Sequence, residues 1–157
     1  MTLAERARQT LETVTNAAVA TVGVDGRPWN TPLYVAFDEN LTFYWRSRVD
    51  AVHSKNIATS PDVLLVVFDS TRPDDTGHAV YVRGRARELR DETSITAALH
   101  CLAERRNEPA PQASEFMAPQ PRRVYEAVAR EVWTNVVKER DGYVFDERVT
   151  VDLLPRR

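Results

Sequence analysis

Two Asp-Gly pairs, each between segments rich in β-branched and apolar residues, constrain the fold of this chain more than any other feature. Asp25-Gly26 follows the apolar segment 17–24, and Asp141-Gly142 follows the segment 124–137. An Asp-Gly pair between two such segments is a strong hairpin signal, because the favoured two-residue turns need positive φ angles. The chain is therefore expected to contain at least two antiparallel β-hairpins.

Further short segments have the composition of strands, and a turn-forming cluster at residues 38–40 indicates that the first three form a meander. Residues 63–68 are continuously apolar, which predicts a strand covered on both faces. The seven expected strands are 17–24, 29–37, 41–47, 63–68, 78–89, 124–137 and 143–153. They do not alternate with helices as in a parallel sheet, so the prediction is a mainly β fold, a small antiparallel barrel with flanking helices.

Three helices are expected beside these strands. Thr2 and Glu5 have the spacing of a capping box, Asp50 is a candidate N-cap for a short helix ending before Pro61, and Asp91 is a candidate N-cap for a third helix. Residues 71–77 and 107–121 are polar or proline-rich and are expected to connect elements, with one helical turn around 115–117.

Composition limits the class of protein. A length of 157 residues with 43% hydrophobic side chains suits a single domain spanning residues 1–157. The single cysteine, Cys101, and the lack of an apolar leader or membrane span favour a cytoplasmic protein. The net charge of −2, with both signs interspersed, gives no footprint for nucleic acid, so a small-molecule partner is expected.

Several kinds of site have no support in the sequence. The three histidines are far apart and lack the spacing of metal ligands, so no metal site is predicted. Five glycines cannot supply a phosphate-binding or dinucleotide loop, and no serine has the setting of a hydrolase nucleophile.

One region gathers cations and hydroxyl groups. Residues 43–48 read Phe-Tyr-Trp-Arg-Ser-Arg, and residues 53–56 read His-Ser-Lys-Asn at the start of the second expected helix. Helix N-terminal N–H groups together with cationic and hydroxyl side chains can bind a phosphate dianion. A solvated strand end and helix start would have the same composition, and Asp50 would compete for the same donors.

The order and spacing of these segments resemble a known family. Residues 18–22, 25–28, 33–34, 43–47, 53–57 and Pro61 are similar to the pyridoxamine 5'-phosphate oxidase-like, FMN-binding split-barrel proteins. The similarity is strongest over residues 15–90. It implies a six- to seven-stranded antiparallel split barrel that binds FMN at the interface of a homodimer.

The resemblance also implies a set of cofactor-binding residues. The second strand would lie along the isoalloxazine ring, Ser47 and the helix around His53 would hold the phosphate, and Trp133 would close the pocket from the other subunit. The implied residues are Trp29, Asn30, Thr31, Pro32, Leu33, Trp45, Arg46, Ser47, His53, Ser54, Lys55, Asn56 and Trp133. Arg46, His53 and Lys55 are all candidates for the phosphate cation, and a phosphate-binding histidine would make FMN affinity fall from about pH 6 to 8.

The chain departs from the true oxidase at two places. The family's basic substrate residue falls near Ala36, and its C-terminal Arg-His pair has no counterpart around residues 139–141. The expectation is therefore an FMN-binding oxidoreductase of unknown substrate, with no catalytic residue assigned. The alternatives are a deazaflavin-dependent reductase, whose cofactor would need a basic surface such as Arg83, Arg85 and Arg87, and a non-catalytic flavin or haem binder with an axial ligand such as His78.

Overall fold

The computed structural model of the protein describes residues 1–72 and 78–155. Most of the expected 71–77 connection lies outside the described residues. The elements in chain order are α1 (Leu3–Thr13), β1 (Asn16–Val22), β2 (Pro28–Tyr34), β3 (Ala36–Phe37), β4 (Thr42–Arg48), α2 (Val52–Thr59), β5 (Asp62–Val67), β6 (Val80–Glu88), α3 (Glu92–Arg106), a 3-10 turn (Ala113–Phe116), β7 (Arg122–Arg140) and β8 (Tyr143–Thr150).

The strands form one antiparallel sheet in the order β2-β1-β5-β6-β7-β4-β3, with β8 paired to the far end of β7. The two edge strands, β2 and β3, are separated along the chain only by Val35. The sheet must therefore curl until its edges meet, which produces a barrel. The mainly β, split-barrel expectation is confirmed.

The barrel is open at one seam. In the described residues β2 pairs only with β1. One edge of β4 pairs with β7, and the other edge pairs only with the two-residue strand β3. The register of β3 with β4, if continued, would place Tyr34 opposite Arg46, but no ladder joins β2 to β4 there. We call this opening, between β2 and residues 45–48 of β4, the split.

The expected pairing of the first two strands is present, but the expected pairing of residues 29–37 with residues 41–47 is wrong over most of its length. Val35 is buried and donates its N–H to the carbonyl of Thr15, so the chain bends there and β2 turns away from β4. The apolar segment 63–68 also differs from expectation. Its side chains alternate, with Val63, Leu65 and Val67 buried and Phe68 exposed, so only one face is fully covered.

Both expected hairpins are present. Gly26 has a φ of 76°, while Asp141 and Gly142 have φ angles of 54° and 78°. The left-handed conformations of Asp141 and Gly142 are the ones that a tight two-residue turn requires. The Asp25-Gly26 connection is longer than the expected two residues, because the last strand pair is Val22 with Pro28 and only Gly26 has a positive φ. The Asp141-Gly142 turn joins β7 to β8, whose paired residues extend beyond the barrel as a largely exposed ribbon.

Two of the three predicted helix starts are confirmed. Thr2 and Glu5 form a reciprocal capping box on α1, and Asp91 accepts the N–H of Ser94 at the start of α3. Asp50 is not the N-cap of α2: Ala51 takes that position, and Asp50 instead accepts two hydrogen bonds from Arg48, at 2.8 and 2.9 Å. The nearby guanidinium outcompetes the backbone N–H groups for this carboxylate.

Apolar side chains are buried on both sides of the barrel wall. The barrel interior is filled by residues such as Phe43, Leu65 and Val82, all completely buried. A second cluster lies outside β4 and β7, where α3 and the 3-10 turn pack Leu99 and Phe116 onto the sheet. Burial of each such side chain stabilises the fold by about 1.5–3 kcal/mol. Within the described residues no helix has the length and apolarity needed to cross a membrane.

Candidate functional site

The strand β2 forms the exposed side of the split. Its residues are exposed or half-buried along the whole strand, and Trp29 is 48% exposed although it lies within a sheet. The indole N–H of Trp29 donates to the hydroxyl of Thr31, two residues along the same face, at 2.9 Å. Pro32 is accommodated because β2 is an edge strand, where a missing ladder donor costs little.

The other side of the split carries a histidine and a serine in contact. Ser47, near the end of β4, lies 2.7 Å from Nε2 of His53, in the first turn of α2. The His53 side chain is buried, and that burial lowers the pKa of the imidazole below its ordinary 6.5. Burial thus favours the neutral imidazole, whose Nε2 donates to or accepts from the serine according to tautomer.

A buried hydrogen-bond chain fixes α2 to the opposite side of the split. Asn56, one turn after His53, donates its side-chain N–H to the hydroxyl of Thr21 in β1 at 3.0 Å. The Thr21 hydroxyl donates in turn to the carbonyl of Trp29 in β2 at 3.4 Å. Helix α2 thus connects β4, through Ser47, to β1 and β2.

The two remaining predicted residues of α2 face elsewhere. Lys55 is exposed. Ser54 is buried at a cavity of about 340 Å³ that it shares with Arg87, Glu88 and Tyr125 on β6 and β7. The structure therefore joins His53 to Ser47 and Asn56 to Thr21, whereas Ser54 faces a separate cavity and Lys55 is exposed.

Trp45 and Arg46 do not join Ser47. Trp45 is completely buried inside the barrel and stacks on Tyr125, with ring centroids 5.9 Å apart. Arg46 lies on the outer face of the sheet, where its guanidinium is 5.8 Å from the ring centre of Phe116. Successive side chains of a strand point to opposite faces, so Arg46 and Ser47 cannot both face one ligand from the same side.

Trp133 is distant along the sheet from this cluster. Residues of β7 up to 128 pair with β4, whereas Trp133 lies past a register shift and pairs with Tyr81 and Thr150. Its ring is half-buried and packs under the guanidinium of Arg83, at 5.3 Å. Within one protomer Trp133 therefore does not line the split.

Sequence reasoning missed Thr21 and Tyr125. Thr21 continues the inward-facing alternation of Ala17 and Val19, and a hydroxyl at such a position needs a buried partner, so a signal existed. Tyr125 gave no signal of its own, because only the pairing of β7 with β4 places it under Trp45. Among the described residues no cluster of three or more histidine, cysteine or acidic side chains is arranged to hold a metal ion.

Comparison with known proteins identifies the fold. The model of the family described as pyridoxamine 5'-phosphate oxidase matches residues 3–135. No curated protein matches the chain. A protein of unknown function from Agrobacterium tumefaciens superposes with a TM-score of 0.68 and 21% identity over 84% of this chain, which spans 55% of that protein's length.

Two similar structures have different described roles. The haem storage protein HutZ from Vibrio cholerae superposes with a TM-score of 0.71 at 17% identity, covering 84% of this chain and 94% of that one. An F420 reductase superposes with a TM-score of 0.59 at 21% identity, covering 80% and 94%. At these identities the similarity establishes a shared fold and leaves the ligand open.

Proposed function

The chain belongs to the pyridoxamine 5'-phosphate oxidase family, and from that premise we propose that it binds FMN in the split and is an oxidoreductase acting on a small molecule. The Ser47–His53 contact at the start of α2 is the observation that carries the proposal. It provides a hydroxyl and an imidazole at a helix N-terminus, beside an exposed edge strand.

The donor groups at this position suit a phosphate. Ala51, the N-cap of α2, makes no side-chain hydrogen bond, so the N–H groups of the first turn are available to an anion. A neutral imidazole can donate one hydrogen bond to a phosphate oxygen, and the Ser47 hydroxyl can donate a second. Of the three residues expected to hold the phosphate, we infer that His53 is the one in place and that it acts as a neutral donor, because Arg46 faces the outer side and Lys55 is exposed.

FMN, when bound, supplies the electron-transfer chemistry, while the protein binds and orients it. Strand β2 would lie along the ring system, with Trp29 and Thr31 on one face of the strand. The Asn56–Thr21–Trp29 hydrogen bonds would keep α2 and β2 at a constant separation, so that phosphate and ring are held together.

We also propose a homodimer with the cofactor at its interface. Apolar side chains are exposed on the β7–β8 ribbon and along the split, a pattern typical of association surfaces. They are Trp29, Val137, Tyr143, Val144 and Phe145. Trp133, which is remote from the split of its own protomer, would then close the site of the other.

The charge pattern favours FMN over a deazaflavin with an acidic tail. Arg83 forms an ion pair with Glu131 at 2.8 Å, and Arg87 one with Glu126 at 2.6 Å. These carboxylates neutralise two of the three arginines that such a tail would need. The F420 reductase and the haem storage protein that share the fold nevertheless make both cofactors necessary controls.

The test is an absorption spectrum and binding titration of the purified protein with FMN, F420 and haem in turn, together with its mass in solution. We expect FMN to bind a dimer, and Ser47→Ala and His53→Gln to weaken binding about tenfold each. His100→Gln, on the exposed face of α3, is the matched control and should change nothing. Preferential uptake of haem or F420, or unchanged FMN affinity in both site variants, would overturn the proposal.

A further inference from the structure

Three arginines from separate elements meet on the outer face of the barrel. They lie at the end of the split where β2 is followed by β3. Arg46 extends from β4, Arg106 from the last turn of α3, and Arg122 from the start of β7. The guanidinium groups of Arg46 and Arg122 lie 5.8 and 5.7 Å from the ring centre of Phe116. That of Arg106 stacks on the ring of Tyr34, the last residue of β2, at 4.0 Å.

One carboxylate accompanies these three cations. Glu108 places the same oxygen 3.8 Å from nitrogens of both Arg46 and Arg106, too far for a hydrogen bond to either. Among the described residues two of the three positive charges have no carboxylate of their own, and the Arg46 side chain is only 20% exposed. Burial is the main cause that lowers the pKa of Arg46, and repulsion from Arg106 lowers it further.

The hydrogen-bonding groups of the cluster are unused in the part of the chain that the structure describes. The guanidinium groups of Arg46, Arg106 and Arg122 donate no hydrogen bond to residues 1–72 or 78–155, unlike those of Arg48, Arg83 and Arg87. The hydroxyl of Tyr34 is buried and has no partner among them. Arg106 and Arg122 are exposed and can donate to water, but the Arg46 guanidinium is largely covered and the Tyr34 hydroxyl is buried. Covering such groups without a hydrogen-bond partner is unfavourable, so these two carry the argument for a ligand.

We propose that Tyr34, Arg46, Arg106 and Arg122 form a binding site for the phosphate or carboxylate group of a small anionic molecule. An oxyanion accepts several hydrogen bonds at once and pairs well with planar guanidinium groups. Glu108 occupies the place that such an anion takes. The site is distinct from the Ser47–His53 pair, because Arg46 and Ser47 lie on opposite faces of β4.

The position of the site suggests its use. Tyr34 ends the strand that forms one side of the split, so an anion held there lies at one end of the strand along which the cofactor is proposed to bind. Identifying the anion as part of the substrate rests on the proposed function. Binding of the anion itself does not, and it is measured on protein without flavin.

The experiment is a calorimetric titration of the flavin-free protein with inorganic phosphate and, separately, with succinate. We expect one of the two to bind once per chain, and Arg106→Gln to weaken that binding about tenfold or more. Tyr34→Phe should weaken it less, since only one hydroxyl is lost. Arg130→Gln, an exposed arginine on β7 outside the cluster, is the control and should leave binding unchanged.

Glu108→Gln gives a second test with the opposite sign. Removing the competing carboxylate should strengthen anion binding, whereas a purely structural ion cluster would be destabilised and would bind no anion. The thermal unfolding midpoint of each variant shows whether it is folded. The proposal is wrong if neither anion binds at millimolar concentration, or if Arg106→Gln and Arg130→Gln weaken binding equally.

A competition arm separates this site from the cofactor site. Phosphate that remains bound when FMN is added supports two sites. If FMN displaces phosphate in the wild type and Arg106→Gln weakens FMN as much as it weakens phosphate, the arginines hold the cofactor phosphate, and the inference of a separate site is wrong.

Discussion

Replacing Asn56 by alanine should loosen helix α2 from the barrel, and the effect should depend on Thr21. The Asn56 side chain is buried and makes its hydrogen bond to Thr21 across 35 residues of chain. A hydrogen bond of this kind contributes about 0.5–1.5 kcal/mol, and leaving a buried partner unsatisfied costs about 1–3 kcal/mol. We therefore expect Asn56→Ala to lower the free energy of unfolding by about 1–3 kcal/mol.

A double-mutant cycle isolates the contact. Thr21→Val keeps the side-chain shape but leaves the Asn56 amide without its acceptor, so it should cost a similar amount. With both residues changed, neither side of the Asn56–Thr21 contact is left without its partner, so the double variant should be more stable than the sum of the single losses implies, by about 1 kcal/mol. Urea unfolding followed by tryptophan fluorescence measures all four proteins.

The control pair combines Asn56→Ala with Thr134→Val. Thr134 is also a buried threonine, and its hydroxyl donates to the carbonyl of Ala79. It has no contact with Asn56, so these two losses should add to within about 0.5 kcal/mol. A Thr21–Asn56 coupling no larger than that of the control pair would refute the assignment of this hydrogen bond as the attachment of α2.

Three further predictions concern single groups. Because burial lowers the pKa of His53, the unfolded chain binds that proton more tightly, so stability present above pH 6.5 should be lost as the pH falls below it. The urea midpoint of His53→Gln should therefore fall less than that of the wild type between about pH 7.5 and 5, and parallel profiles would contradict this. Gly84→Ala should lower the free energy of unfolding by about 1–3 kcal/mol, because the added methyl would lie 2.8 Å from the carbonyl oxygen of Val128; an unchanged thermal midpoint would be evidence against the close approach. Burial raises the pKa of Cys101 to about 11, so at pH 8 it should react with a thiol reagent about a hundredfold more slowly than in the urea-unfolded chain, and equal rates would disprove it.

The parts of the fold that follow from neighbouring residues were predictable. The Asp-Gly turns depend on φ angles that those residues adopt readily, and the Thr2–Glu5 capping box depends on a spacing of three residues. The error at Asp50 is equally local. The carboxylate had two possible partners close in sequence, and the guanidinium of Arg48 binds it in preference to the backbone of α2.

The candidate site was predictable only in part. The family resemblance implied that Ser47 and the helix around His53 act together, and the structure places the side chains of Ser47 and His53 in contact. The structure places Arg46 and Ser47 on opposite faces of β4, as the alternation of a strand requires. Composition alone does not show this separation. The arginine cluster had no sequence signal, because its members lie 60 and 16 residues apart along the chain, from Arg46 to Arg106 and on to Arg122.

The sequence by itself determined most of the segments that become strands, the positions of the Asp-Gly hairpins and the caps of α1 and α3, because these depend on interactions within a few residues. Only the tertiary structure decided that the chain bends at Val35, which opens the split, and that the outer face of β4 gathers three guanidinium groups. The reason is physical. Strand pairing and charge clustering join residues that are distant in sequence, and their energies depend on burial that exists only once the barrel has closed.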